Sequence, residues 1–248
     1  MLKRPKTGVG LVIAAACLAI AASPRSASGA ESFVRDNDVW AFLGDSITHA
    51  DTYRRTLERV VQHYHPGVQA RFVQGGKPGA LATASKEQFQ AAAAADRPTA
   101  VSLMTGMNNS INSDWRAGQA MDAPLEGYRR QLTEFARAGR ANGVTVVLMS
   151  PTLTDESLGW YSMWALDGTA EFLRRCGRIA EEVARAEGAF YVPVAEEFEA
   201  VQRTLPPEQI LRHDGVHPSA LGQYAIARSL LRHMDFAGGL AGGARRMA

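Results

Sequence analysis

The residues that could do chemistry lie in two short motifs near opposite ends of the chain. Gly44-Asp45-Ser46-Ile47-Thr48 offers a hydroxyl, and Asp214-Gly215-Val216-His217 offers a carboxylate and an imidazole three residues apart. A serine becomes a nucleophile when an imidazole takes its proton and a carboxylate orients that imidazole. Ser46, His217 and Asp214 are therefore candidates for the nucleophile, the general base and the orienting carboxylate.

The residues around the serine and the histidine favour these roles, although each has an ordinary alternative. Ser46 follows a predicted strand, and Gly44 permits an unusual backbone angle there. A serine in this place is also a common helix N-cap. Pro218 restricts His217 to extended backbone, and Asp214 can turn back to hold one ring nitrogen, although an Asp beside a Gly is also a common turn residue.

Two further residues could stabilise a developing negative charge. Asn108, in the segment Thr105-Gly106-Met107-Asn108-Asn109, offers a side-chain amide, and Gly76 offers a backbone N–H from a glycine-rich turn. Both are also ordinary loop residues. With the Ser46 N–H they would provide three donors, an arrangement that lowers the barrier when it is preorganised.

Strands and helices alternate along the chain, which predicts a parallel sheet covered by helices on both faces. The predicted strands are 39–43, 70–73, 100–105, 144–149 and 190–192. The predicted helices are 53–64, 81–95, about 124–142, 172–183 and 220–234. Ligands of such sheets bind at the carboxyl ends of the strands, and the candidate residues follow predicted strands or precede the last helix.

The N-terminus has the pattern of a secretory signal peptide over residues 1–30, with a basic start, an apolar run and small residues before position 31. The apolar run is too short for a comfortable membrane span, so no integral span is expected after cleavage and the protein is expected to be exported. Cys17 suggests a lipoprotein site as an alternative, but Ala14-Ala15-Ala16 lacks the large aliphatic residue typical of such sites. Residues 31–237 are predicted to form one domain, and 238–248 a flexible tail.

Charge and cysteine content exclude several classes of function. Four of the 27 basic residues and none of the 25 acidic ones lie in residues 1–30, so the remainder has 23 basic and 25 acidic residues, a net charge of about −2. This gives no basic patch for nucleic acid. Cys176 is the one cysteine left, so neither a disulfide framework nor a cysteine metal site is expected. Because Cys176 lies on the apolar face of a predicted helix, its thiol is expected to be buried and inert.

These blocks, in this order, resemble the SGNH subgroup of the GDSL hydrolases, which is named after its Ser, Gly, Asn and His. The resemblance implies a three-layer αβα sandwich with a five-stranded parallel sheet in flavodoxin-like order. It implies that Ser46 is the nucleophile, His217 the general base and acid, and Asp214 its orienting partner. Gly76 and Asn108 would complete the oxyanion hole, and neither a metal nor an organic cofactor would be needed.

Two positions depart from the family pattern. Asn109 stands where the family often has Asp, and Gln74 stands where it usually has Asn two residues before the glycine. Both changes leave the catalytic groups in place and would alter the hydrogen bonds that position them. Asp45 is expected to brace the site through hydrogen bonds rather than to transfer protons.

Substrate preference depends on aromatic residues in two predicted loops. Trp115 follows the oxyanion block, and Trp160, Tyr161 and Trp164 follow strand four; they could line an acyl pocket or stack on sugar rings, or simply pack the loops. The resemblance favours a secreted short-chain, acetyl, esterase that acts on small-molecule or saccharide esters. A lysophospholipase or thioesterase, an O-acyltransferase and a non-catalytic carbohydrate-binding protein remain alternatives, and the oligomeric state is not predicted.

Overall fold

The computed structural model describes residues 33–112, 121–155, 157–158 and 168–234. Five strands form one sheet: β1 (Val39–Gly44), β2 (Arg71–Gly76), β3 (Ala100–Met104), β4 (Thr145–Met149) and β5 (Phe190–Val192). Their order is β2-β1-β3-β4-β5, and every pair is parallel. This is the flavodoxin-like order, so the predicted fold class is confirmed.

Helices within the described residues cover both faces of the sheet. They are α1 (Ser46–His49), α2 (Thr52–Tyr64), α3 (Ser85–Asp96), α4 (Met107–Asn112), α5 (Asp122–Ala141), α6 (Thr169–Glu187), α7 (Val194–Gln202), α8 (Pro207–Ile210) and α9 (Ala220–Met234). A short 3₁₀ turn, Ala82–Ala84, precedes α3.

Alternate residues of the central strands feed two separate cores, which makes the three layers. Phe42 of β1 packs on one face with residues of α2, α7 and α9, while Leu43 packs on the other with residues of α3, α5 and α6. All five residues of β3 are buried. Continuous apolar runs are expected of parallel strands with helices on both faces.

The sequence prediction differs from the structure at short elements. The five predicted strands and five long helices are present, but β2 continues through Gln74 and Gly75 to Gly76 instead of ending at Val73. The helices α1, α4, α7 and α8 were not predicted, because most of them are too short to show a 3.6-residue apolar period. As a result Asn108 lies in the first turn of a helix rather than in a loop.

Residues 1–30 and 238–248 lie outside the described residues, so the signal peptide and the tail remain predictions. Among the residues that the structure does describe, there is no helix with the length and apolar character needed to cross a membrane.

Candidate active site

The serine lies in a tight turn where β1 ends and α1 begins. Gly44 has φ +149°, and a Cβ there would lie 2.2 Å from the Met104 carbonyl oxygen, so only glycine fits. The Asp45 side chain caps α1 by accepting a hydrogen bond from Ile47 N at 2.9 Å. Ser46 is the first residue of α1 and is half-buried at the carboxyl end of the sheet.

The three residues predicted from the two motifs form one hydrogen-bonded chain. Ser46 Oγ lies 2.8 Å from His217 Nε2, and His217 Nδ1 lies 2.9 Å from Asp214 Oδ2. The second carboxylate oxygen, Oδ1, accepts the backbone N–H groups of His217 at 2.8 Å and Val216 at 2.9 Å. Because both oxygens are engaged, the carboxylate holds the imidazole in one orientation, as a proton acceptor for the serine requires.

The electrostatics of Asp214 keep it ionised at neutral pH. Burial tends to raise its pKa, but the hydrogen bonds from the backbone of His217 and Val216, the bond from the His217 ring and the charge of that ring outweigh burial. The pKa of Asp214 therefore lies below its ordinary value. An ionised carboxylate beside Nδ1 can stabilise an imidazolium at His217, which a general base needs when it takes a proton.

The loop that carries His217 is a braced turn. Gly215 has φ +67°, a region that favours glycine. Arg212 N donates to the His217 carbonyl at 2.8 Å, and Gly215 N donates to the Arg212 carbonyl at 2.9 Å. Asp155, in the loop after β4, donates its N–H to the Gly215 carbonyl at 3.1 Å. These bonds fix the backbone on both sides of the Asp214–His217 pair.

Gly76 lies directly against the serine-bearing helix. It ends β2 and pairs with Gly44. A Cβ on Gly76 would lie 2.5 Å from His49 N and 2.9 Å from the Asp45 carbonyl oxygen, both of which are backbone atoms. Only glycine lets the end of β2 and the start of α1 come this close. Gln74, at the position that departs from the family pattern, donates from Nε2 to the His49 carbonyl at 3.2 Å.

Asn108 is held by the segment that follows β2. Its Nδ2 donates to the Ala80 carbonyl at 3.0 Å, and Asn109 Oδ1 accepts the Ala82 N–H at 3.0 Å. An amide nitrogen carries two hydrogens, so Asn108 can direct the second one to an oxyanion. Asn109 accepts the Ala82 N–H with its amide oxygen. The Asp that the family often has at this position could accept the same hydrogen bond with a carboxylate oxygen.

Asp45 is almost fully buried beneath the serine. Burial raises its pKa to about 6, against the opposing effects of the Ile47 N–H and of the His217 charge. The use of its carboxylate as a helix cap is the kind of contact expected of a bracing residue.

Other predicted residues lie outside the described part of the chain or away from the site. The aromatic pocket candidates Trp115, Trp160, Tyr161 and Trp164 are outside the described residues and remain predictions. Cys176 is fully buried in α6, as predicted. Across residues 33–112, 121–155, 157–158 and 168–234, no cluster of three or more His, Cys, Asp or Glu side chains is arranged to hold a metal ion.

Two buried glutamines near the site were not found by sequence reasoning. Gln88 of α3 donates from Nε2 to the Gly44 carbonyl at 2.8 Å. Gln223 of α9 contacts the backbone of Ile47 and Tyr53. The available signal was a polar residue on the buried side of an amphipathic helix, which on its own does not identify its partner.

Comparison with known proteins identifies the family of this chain. The chain matches the model of the GDSL-like Lipase/Acylhydrolase family over residues 42–225. It is 25% identical over 218 residues to an acetylxylan esterase of Geobacillus stearothermophilus, and this alignment covers 79% of this chain and 93% of that enzyme. The chain belongs to the GDSL-like lipase/acylhydrolase family. It is a hydrolase of carboxylic esters.

Solved structures share the fold. Axe2, an acetylxylan esterase from Geobacillus stearothermophilus, matches with a TM-score of 0.66 and 22% identity, covering 80% of this chain and 94% of Axe2. LAE5, an alpha/beta hydrolase enzyme from the metagenome of Lake Arreo, Spain, matches with a TM-score of 0.68 and 20% identity, covering 81% and 96%. Structures of catalytic mutants of Axe2 have alanine in place of a serine, an aspartate and a histidine, the last two three residues apart.

Proposed function

We propose that this protein is an exported serine esterase that removes acetyl groups from carbohydrate esters, with Ser46, His217 and Asp214 as its catalytic triad. The observation that supports this most directly is the continuous chain of hydrogen bonds from Ser46 Oγ through the His217 ring to the Asp214 carboxylate, at 2.8 and 2.9 Å. The catalytic mutants of Axe2 affect the same three residue types, and the aspartate and histidine have the same spacing.

The reaction proceeds in two acyl transfers. Ser46 Oγ attacks the ester carbonyl carbon while its proton moves to His217 Nε2. The bond from carbon to the alcohol oxygen then breaks, and His217 returns the proton to that oxygen, which leaves an acyl group on Ser46. Water repeats the attack with His217 as base, releases the carboxylic acid and restores the serine.

The negative charge of the tetrahedral intermediate is stabilised by backbone and side-chain donors. The backbone N–H groups of Ser46 and Gly76 and the free amide hydrogen of Asn108 are the proposed donors. Their positions are fixed before substrate arrives, because Gly76 packs on α1 and Asn108 is held by Ala80. Removing one such donor typically lowers kcat by about 10²–10³-fold.

The acetyl and carbohydrate parts of the proposal rest on the relatives. The acetylxylan esterase of Geobacillus stearothermophilus matches almost over its full length, and the aromatic residues predicted to line the pocket suit sugar rings. Export rests on the signal peptide pattern of residues 1–30.

Hydrolysis of a p-nitrophenyl ester series by residues 31–248 tests the proposal. We expect activity to be highest on acetate, to fall towards palmitate and to be lost in Ser46→Ala, and we expect release of acetate from acetylated xylan. Ser229→Ala is the matched control, because it removes a buried hydroxyl whose hydrogen bond goes to the Pro193 carbonyl and to none of the proposed catalytic residues. A maximum on long chains would overturn the acetyl preference, and Ser46-independent turnover would overturn the nucleophile.

A further inference from the structure

Gln223 joins the two parts of the site through its side-chain amide. It lies in the first turn of α9, six residues after His217, and is 2% exposed. Its Oε1 accepts the Tyr53 N–H at 3.2 Å, and its Nε2 donates to the Ile47 carbonyl at 3.1 Å. Ile47 follows Ser46 directly, so one amide reaches from the histidine segment to the peptide beside the serine.

The two backbone groups that Gln223 binds lie on either side of the short connection between α1 and α2. Asp51 N, which would bond to the Ile47 carbonyl if α1 continued, bonds instead to the Thr48 carbonyl at 3.0 Å. The first N–H groups of a helix have no partner within that helix. At the start of α2 the Asp51 carboxylate binds Arg55 at 2.6 Å rather than capping the helix. Gln223 therefore supplies a partner to the end of α1 and to the start of α2.

The segment around Gln223 packs directly against the loop that carries His217. Gln223 N donates to the Ser219 carbonyl at 2.9 Å. Leu211 and Pro218, which flank the turn that carries His217, form an antiparallel bridge. A Cβ on Gly222 would lie 2.2 Å from the Ile210 carbonyl oxygen and 2.8 Å from Pro218 Cβ, so the first turn of α9 packs directly on this bridge. A shift of α9 relative to α1 would therefore shift His217 relative to Ser46.

We propose that Gln223 is a positioning residue that sets the distance between Ser46 Oγ and His217 Nε2. The inference rests on the proposed roles of Ser46 and His217. Without the amide, α1 loses the backbone contact that ties it to α9 and keeps the Ser46–His217 bond itself, and a misplacement of about 1 Å can lower a rate about 10²-fold. Binding of the substrate does not use this contact, so the loss falls on kcat rather than on KM.

Two variants separate positioning from stability. Gln223→Met keeps the length and approximate volume but makes neither hydrogen bond. Gln223→Glu keeps the acceptor for Tyr53 N–H and, when ionised, cannot donate to the Ile47 carbonyl. Leu230→Ala is the control, because Leu230 is fully buried further along α9 and its truncation weakens the core without touching the site.

The readouts are kcat and KM on p-nitrophenyl acetate and the rate of labelling of Ser46 by a fluorophosphonate, all at a temperature where each variant is folded. We expect Gln223→Met to lower kcat and the labelling rate by about 10- to 100-fold, with KM within about threefold of wild type. Gln223→Glu is expected to lower the labelling rate as well, so it replaces Gln223→Met if that variant does not fold.

Labelling at the wild-type rate in both Gln223 variants overturns this inference alone, and so does an equal loss in Leu230→Ala. If the wild type shows no Ser46-dependent labelling, the proposed nucleophile fails instead, and the inference that rests on it fails with it.

Discussion

Replacing the Asp214 carboxylate by an amide should remove activity without removing the fold. In Asp214→Asn the remaining oxygen can still accept the N–H groups of His217 and Val216, which lie 2.8 and 2.9 Å from Oδ1. The new NH₂ group then faces His217 Nδ1 across 2.9 Å, where the carboxylate oxygen stood. Two donors cannot share this contact, so the ring must place its proton on Nε2 and its lone pair on Nδ1.

That tautomer cannot accept the serine proton, because Nε2 lies 2.8 Å from Ser46 Oγ and already carries a hydrogen. The same substitution in a Ser-His-Asp site lowers kcat by about 10⁴-fold. We expect a loss of about 10³–10⁴-fold in kcat/KM on p-nitrophenyl acetate, which corresponds to about 4–5.5 kcal/mol of transition-state stabilisation.

The matched control is Asp38→Asn. Asp38 Oδ2 accepts Arg35 N at 2.8 Å just before β1, a local backbone contact like that of Asp214 with His217 but at the other end of the strand from Ser46. We expect it to stay within about threefold of wild type, since the amide oxygen can keep that bond. If Asp214→Asn keeps more than about a tenth of wild-type activity while circular dichroism shows a native fold, then the carboxylate does not orient the base and the reasoning is refuted.

Three further predictions concern the proposed oxyanion hole, the buried carboxylate beneath Ser46 and the buried thiol of α6. Asn108→Ala should lower kcat by about 10²–10³-fold with little change in KM, and an unchanged kcat would remove Asn108 from the oxyanion hole. Burial raises the pKa of Asp45 to about 6 in the folded protein, above its ordinary value of about 4 in the unfolded chain. Ionisation of this carboxyl therefore lowers the free energy of unfolding as the pH rises from about 4 to about 6. Asp45→Asn should therefore gain up to about 3 kcal/mol in unfolding free energy relative to wild type between pH 4 and 7, and a pH-independent difference in urea titrations would contradict this. Cys176 is buried and burial raises its pKa, so residues 31–248 should react with iodoacetamide only in denaturant, and rapid labelling of the native protein would show that α6 opens.

Much of the fold can be predicted from the apolar runs and from the Gly, Pro and Asn residues that end them. The runs at 39–43, 100–105 and 144–149 are strongly apolar because helices cover both faces, and they correspond to strands that are almost wholly buried. The end of β2 was predicted as a turn, since glutamine and two glycines have weak strand propensity. In the structure Gly44 pairs with Gly76 and continues the ladder.

The site was predictable where the sequence places chemistry at strand ends. Ser46 and His217 are separated by most of the domain, yet both belong to the same edge of a parallel sheet, and the structure brings them to 2.8 Å. Gln223 was not predictable in this way. Its partners are backbone groups of Ile47 and Tyr53, and backbone groups have no residue type that a sequence pattern could reveal.

The most direct test of the account is to find which residue carries the acyl group. Residues 31–248 would be treated with a fluorophosphonate, digested and analysed by mass spectrometry, with Ser46→Ala and His217→Ala in parallel. We expect one label per chain on the peptide that contains Ser46, slow labelling in His217→Ala and none in Ser46→Ala. A label on another residue, or full esterase activity after Ser46 has been blocked, would contradict the central claim that Ser46 is the nucleophile.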